Sequence, residues 1–337
     1  MMRLPPFTYL PAPTIDAAVK ALGEHGADAM LVAGGTDLYP NMKRRQFEPK
    51  VLVGLASVAE IRGVRGSARD GFTIGAGTTL SAVARHPEIV RHHPGLATAA
   101  SLVSSPQLRN MGTIGGNLCV DTRCNYYNQS FAWRKAIGFC MKKDGDICLV
   151  APGSPRCWAV SSSDTAPVAW SLGAKVRLVG PTGERVIPAE ALYRDDGIQY
   201  LAKQPNEILT DVILPPADGQ RSAYMKLRRR GSFDFPVLGV AVSVRLDGDT
   251  VREARIVLGA VASQPREATK ASAMLVGQRL TPDVIEAVAG VAAGPSKPLD
   301  NTDFTHPYRK KMTRVFVARA LRRIVGLPAS PKVDEAI

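Results

Sequence analysis

Apolar residues in this chain fall into short groups separated by glycine and proline, and no group approaches the ~20 residues that a bilayer span requires. Thr14 stands where a helix carrying Ala17, Ala18, Val19 and Leu22 needs a cap, and Gly23 would end that helix. Ala29–Val32 and residues 50–55 read as buried strands. With the loop and short helical stretch between them, they predict a small α/β lobe over residues 1–55. Phe72-Thr73-Ile74 reads as a strand, and the chain from Thr113 past Asn117 is expected to be another. Asp164 precedes the apolar stretch 166–172, where it either caps a helix or holds a ligand hydroxyl, and 175–179 follows as a strand.

Pro215-Pro216-Ala217-Asp218-Gly219 is dense in turn formers between the strand 211–214 and the strand that contains Tyr224, so it predicts a boundary. The chain then divides into 1–55, 56–218 and 219–337. In the last part, 237–246 and 251–261 flank Gly248 as a hairpin, and helices are expected over 267–275, 282–293 and 308–324. Tyr308, Met312, Val315, Phe316 and Ala320 share one face of the last helix, a stripe that predicts core packing. The expected fold class is α+β.

Charge narrows the function. The 337 residues carry a net charge of +13, but the basic runs Lys43-Arg44-Arg45, Arg228-Arg229-Arg230 and Arg309-Lys310-Lys311 are short, scattered and poor in interleaved aromatics. This pattern disfavours nucleic acid and predicts charge that is solvated or faces a partner. Met1 to Ala18 lacks an apolar secretory core, so a soluble, cytoplasmic protein is expected. His86, His92 and His93 lie near Pro87 and Pro94 in an expected surface turn, with no carboxylate or cysteine spaced for a metal site.

Chemistry concentrates in glycines and cysteines. Ala33-Gly34-Gly35-Thr36-Asp37-Leu38, Gly75-Ala76-Gly77-Thr78-Thr79 and Thr113-Ile114-Gly115-Gly116-Asn117 each combine glycine with a hydroxyl, the chemistry of a backbone cradle for phosphate. Three such loops suggest one extended phosphate ligand, and none matches the dinucleotide fingerprint or the P-loop. All five cysteines, Cys119, Cys124, Cys140, Cys148 and Cys157, lie downstream of the third loop. An odd count argues against a disulfide framework. Zinc prefers two tight cysteine pairs, and only Cys119 and Cys124 are close; the other gaps hold 15, 7 and 8 residues. Arg123, Arg134, Lys135, Lys142, Lys143 and Arg156 lie among the cysteines and favour thiolates, so an iron-sulfur cluster leads over zinc. Spacing lets either Cys119 or Cys124 begin a set of four, and the polar run Asp121-Thr122-Arg123, able to turn outward, favours Cys124.

Together the three glycine loops resemble the FAD-binding subunit of the molybdenum hydroxylase family, in order and spacing over nearly the whole chain. The resemblance implies a two-lobed FAD-binding fold with a C-terminal α+β domain closing over the flavin. It implies contacts from Val32, Ala33, Gly34, Gly35, Thr36, Asp37, Leu38, Gly77, Thr78, Thr113, Gly115, Gly116, Asn117, Asp164, Leu209 and Lys226, with Phe235 beside the isoalloxazine ring. It also implies partners, a large subunit with the molybdenum cofactor and a small [2Fe-2S] subunit. The cysteine-rich segment is similar to the insertion of 4-hydroxybenzoyl-CoA reductases. That similarity implies a [4Fe-4S] cluster on Cys124, Cys140, Cys148 and Cys157, a ferredoxin donor, and electrons passing through FAD toward reductive dehydroxylation. The alternatives are an oxidative hydroxylase with outward electron flow, and a basic zinc-binding interaction protein.

Overall fold

The computed structural model describes residues 3–328, which build three sheets. The first is parallel, with Thr8–Pro11 and Ala29–Val32 flanking Val51–Gly54. Thr14 caps the helix Ile15–His25 by accepting from Ala17 N, and Ala18 and Leu22 of that helix pack with Val53 and Val58. The strand Thr8–Pro11 was not legible in the pattern: it is short, largely exposed and ends in proline, as an edge strand can.

The second sheet is antiparallel, in the order Val64–Ser67, Gly71–Gly75, Ile208–Leu214, Lys175–Gly180, Gly183–Pro188. Phe72, Ile74, Val176, Val212 and Leu214 form its core with Leu96, Ala100 and Val168, contributed by the helices Pro94–Leu102 and Thr165–Ser171. The third sheet is the expected hairpin, Leu238–Asp247 with Thr250–Gly259, extended on either side by Gln220–Leu227 and Arg266–Glu267. The helices Thr269–Leu275, Pro282–Ala292 and His306–Ile324 cover it, and Met312, Val315, Phe316 and Ala320 are buried there with Tyr308 packed against them. The architecture is the α+β class expected. Among the described residues no helix is long and apolar enough to cross a membrane.

Two expectations need correction. Arg309 is not part of a solvated basic run. It is 1% exposed, and its guanidinium donates to the carbonyls of Val237 (3.2 Å), Leu299 (2.8 Å) and Ala260 (2.7 Å), so it works as a buried tie between loops and the last helix. The histidines do not form a surface turn. They lie at the ends of the helices Leu80–Arg85, Pro87–His92 and Pro94–Leu102, because each proline starts a helix at its first turn, where its missing N–H costs nothing.

His93 is fully buried, with its ring edge-on to Phe72 at 5.7 Å and neither nitrogen hydrogen-bonded. Burial pushes its pKa down to about 4, and the charges of His92 and Arg245 push the same way. A folded-state pKa below the ordinary 6.5 means that the unfolded chain binds the proton first. The stabilisation is therefore complete above about pH 6.5 and is lost as pH falls toward 4. A shift of this size corresponds to ~3 kcal/mol. Unfolding titrations between pH 7 and pH 4 should show this loss in the parent and a shallower one in His93→Leu; equal pH slopes would refute the assignment.

Candidate functional site

The three glycine loops meet at one place. The first leaves the parallel sheet at Val32 and enters the helix Leu38–Lys43, so Ala33, Gly34, Gly35, Thr36, Asp37 and Leu38 line a half-exposed turn. Gly35 takes φ 69°, and a Cβ on it would meet the Tyr39 ring at 2.3 Å. A Cβ on Gly34 would stand 2.0 Å from the carbonyl oxygen of Met111, just before the third loop. The second loop is fixed by Ala76 N donating to Thr210 O and Gly77 N to Ile61 O, each 2.8 Å. The third docks on the second: Gly115 N donates to Ala76 O at 2.9 Å and Ile114 N to Thr78 O at 3.0 Å. These glycines are thus demanded first by loop-on-loop packing, a reason beyond the ligand approach that the sequence suggested. Leu209 is buried in the central sheet, next to the Thr210 carbonyl that holds the second loop.

The third loop is not a strand. Ile114–Leu118 is a helical turn capped by Thr113, whose Oγ accepts from Gly116 N at 3.1 Å, and Cys119 closes it. The pairing expected of a strand is reduced to one bridge between Thr79 and Thr113. The helical turn aims Asn117 inward, where its Oδ1 accepts from Thr165 N (3.1 Å), Thr165 Oγ1 (2.7 Å) and Ser163 Oγ (2.9 Å). The start of the helix Thr165–Ser171 is therefore fixed by Asn117, and Asp164 makes no cap bond of its own.

Asp164 is free to bind elsewhere. It is 2% exposed; its Oδ1 accepts from Tyr224 Oη at 2.8 Å and its Oδ2 from Lys226 Nζ at 2.9 Å. Lys226 Nζ also donates to Leu102 O at 3.0 Å. Burial raises the Asp164 pKa and lowers that of Lys226, and each charge opposes the other's shift. The pair crosses from the second sheet's helices to the third sheet.

The cysteine-rich segment folds over the first lobe. Cys124, Cys140 and Cys157 share a buried cluster with Tyr127 and Ala159, and Cys148 is buried near enough to Cys157 to act on its charge. Burial pushes the Cys124 thiol up to about 12 and the Cys157 thiol to about 11. Bare thiolates are therefore disfavoured, against the expectation that the neighbouring cations favour them. Lys142 sits against them, 5% exposed, donating to Asp121 Oδ1 and Thr122 Oγ1 at 2.8 Å each. Gly197 matters here, because a Cβ on it would stand 2.6 Å from Cys157 Sγ. Cys119 packs instead against the core of the second sheet, apart from the other four. Among the described residues no group of three or more His, Cys, Asp or Glu side chains is arranged to hold a metal ion.

Residues 5–217 match the FAD binding domain in molybdopterin dehydrogenase, and residues 222–324 match the CO dehydrogenase flavoprotein C-terminal domain. The chain is an FAD-binding medium subunit of the molybdenum hydroxylase family. It is 30% identical to the carbon monoxide dehydrogenase medium chain of Hydrogenophaga pseudoflava over 320 residues, 94% of this chain and 96% of that one. It is 32% identical to the aldehyde oxidoreductase FAD-binding subunit of Escherichia coli over 279 residues, 80% of this chain and 86% of that one. A chain of the solved carbon monoxide dehydrogenase from H. pseudoflava superposes with a TM-score of 0.78 at 30% identity, covering 96% of this chain and 99% of that one. Family membership removes the interaction-protein alternative.

The residues present in this medium subunit fit FAD. A half-exposed glycine turn held open by protein packing offers backbone N–H groups at 34–36, and the buried polar set Asn117, Asp164 and Lys226 stands behind the third loop. Phe235, on the chain that follows the third sheet's first strand, is 44% exposed and lies 4.2 Å from the Arg123 guanidinium. Sequence reasoning placed Arg123 and Lys142 among the cations that favour thiolates, and nothing in a one-dimensional pattern showed that Arg123 pairs with Asp37 and Lys142 with Asp121. Tyr224, spaced two residues before Lys226 on the same face of a strand, was the signal that could have completed the Asp164 network.

Removing one member of a buried ion pair strands the other. Lys226→Met should destabilise the folded chain by ~3–5 kcal/mol, and adding Asp164→Asn should recover part of that loss. Chemical denaturation of the parent and the two variants checks this, and a cost below ~1 kcal/mol for Lys226→Met would show the pair to be screened by solvent.

Proposed function

We propose that this chain is the FAD-carrying, electron-transferring subunit of a molybdenum hydroxylase, acting beside a large subunit that holds the molybdenum cofactor and a small [2Fe-2S] subunit. The observation that carries the reading is the convergence of the three glycine loops, the second and third joined by Gly115 N to Ala76 O at 2.9 Å and the first seated on Met111. In this reading the 32–38 turn receives the pyrophosphate on its backbone N–H groups, with Gly77, Thr78, Thr113, Gly115 and Gly116 forming the far wall. Asn117, Asp164, Leu209 and Lys226 fix the shape of that wall, and Phe235 stands beside the isoalloxazine ring. The chemistry that FAD supplies when bound is electron exchange, singly or in pairs. The chain itself binds, orients and shields, and no residue is assigned as general acid, base or nucleophile. Relatives named for the oxidation of carbon monoxide and of aldehydes support an oxidative enzyme whose electrons leave outward to an acceptor.

The buried thiols favour a second, narrower reading. Cys124, Cys140 and Cys157 in one buried cluster, with Cys148 buried near Cys157 and Lys142 beside it, are the residues that would hold a [4Fe-4S] cluster. With a ferredoxin as donor, electron flow would run inward, as in a reductive 4-hydroxybenzoyl-CoA reductase.

Flavin extraction from the purified complex tests the first reading. Gly35→Val, which places a branched side chain at φ 69° against Tyr39, should abolish FAD retention, whereas full flavin occupancy in the folded variant would overturn the loop assignment. Iron and sulfide analysis tests the second. Serine at Cys124, Cys140, Cys148 or Cys157 should lower the iron and sulfide of the complex to what the [2Fe-2S] subunit holds while FAD stays bound, and Cys119→Ser should leave both at the parent level. A parent complex whose iron is fully accounted for by the small subunit's [2Fe-2S] centres would sink the narrower reading, and reduction of the complex by its substrate rather than by reduced ferredoxin would fix the oxidative direction.

A further inference from the structure

Arg123 stands where three parts of the chain meet. It lies one residue before Cys124, and it exchanges backbone hydrogen bonds with Val160 at 2.9 and 2.8 Å, so it is the root of the cysteine-rich segment. Its guanidinium forms an ion pair with Asp37 of the first glycine loop, donates to Asn41 Oδ1 at 3.2 Å and lies over the Phe235 ring at 4.2 Å. Asn41 Nδ2 donates in turn to Asp37 Oδ2 at 3.0 Å, so Asp37, Asn41 and Arg123 close a ring of polar contacts. Arg123 is 8% exposed, and among the described residues Asp37 is the acid that it pairs with.

The charge arithmetic of this ring bears on ligand binding. Asp37 sets a carboxylate two residues beyond Gly35, at the mouth of a turn whose N–H groups are suited to an anion. Unneutralised, that carboxylate would repel a diphosphate, and partial burial would strengthen the repulsion. Arg123 cancels it through their ion pair.

We infer that Arg123 is a positioning residue for flavin binding: by neutralising Asp37 it lets the first glycine loop accept the pyrophosphate, with Phe235 held against its guanidinium. The inference rests on the reading that the 32–38 turn holds the pyrophosphate. It makes a segment absent from the loop itself a determinant of FAD affinity. The flat, delocalised guanidinium suits the task, since it can meet a carboxylate edge-on and an aromatic ring face-on at once.

The test is the FAD dissociation constant of the complex, read by flavin fluorescence after reversible removal of FAD. Arg123→Met keeps the bulk against Phe235 and removes the charge, and it should weaken FAD by roughly tenfold, ~1.4 kcal/mol. Adding Asp37→Asn removes the stranded carboxylate and should restore binding to within about threefold of the parent, a rescue that a purely structural role would not give. Arg123→Lys, which keeps the charge, should hold FAD within about threefold of the parent, and it keeps the test available if Arg123→Met fails to fold. Unchanged affinity in Arg123→Met, absence of rescue in the double variant, or tenfold weaker binding in Arg123→Lys would each overturn the inference. Gly35→Val serves as the separate control, because FAD retained in that variant would overturn the loop reading itself, whatever Arg123 does.

Discussion

The buried pair of Asp164 and Lys226 is the constraint on which the arrangement of sheets depends. Lys226 comes from the first strand of the third sheet, Asp164 from the start of a helix that covers the second, and Lys226 also reaches the Leu102 carbonyl at the end of a neighbouring helix. With side chains only 1% and 3% exposed, neither charge has water to fall back on. The two sheets must therefore stay in register at this point, or a bare charge is left in an apolar seam. Tyr224, buried on the same strand, adds a second hydrogen bond to Asp164 and fixes the carboxylate's orientation. Asn117 holds the next residue, Thr165, from the third glycine loop, so the loop cluster and the sheet interface share one rigid support.

That support explains why the glycine loops can be built from backbone meeting backbone. Gly34 against Met111, Gly75 against Ile61 and Gly115 against Ala76 are approaches that no Cβ could share. Loops packed this closely cannot adjust independently, and a cleft whose walls are so fixed is preorganised for its ligand. The single left-handed glycine of the first loop, Gly35, turns the chain where a Cβ would meet the Tyr39 ring. Side-chain identity matters less in these loops than the absence of side chains.

Much of this was legible in the sequence, for physical reasons that differ by element. The hairpin around Gly248 and the helix His306–Ile324 announced themselves because a half-buried element repeats its apolar positions with its own period. The three glycine loops were legible because backbone cradles require residues that few other structures tolerate. The helical turn Ile114–Leu118 was misread as a strand: its two glycines carry no helical signal, and the deciding feature is the Thr113 cap, a contact rather than a pattern. The strand Thr8–Pro11 escaped because its parallel pairing with Val51–Gly54 is held by backbone bonds that any sequence can make. Buried cations were the largest blind spot, since Arg309 read as surface charge and Arg123, Arg134 and Lys142 as neighbours of thiolates until their carboxylate and carbonyl partners are seen.

Those buried cations also change what the net charge of +13 means. Arg134 is 1% exposed and clamps the carbonyls of Arg44 and Arg45 at 3.1 Å each, with Asp144 at 3.3 Å, so it ties the cysteine-rich segment to the first lobe. Gln46 Nε2 repeats the tie through the Tyr127 carbonyl at 2.6 Å. The segment is therefore anchored on the lobe that carries the first glycine loop, by hydrogen bonds to backbone that do not depend on what the thiols hold. An anchorage of this kind separates two tasks within one short stretch of chain. The buried cysteines occupy that stretch, while the guanidinium of Arg134 and the amide of Gln46 at its base hold it on the lobe.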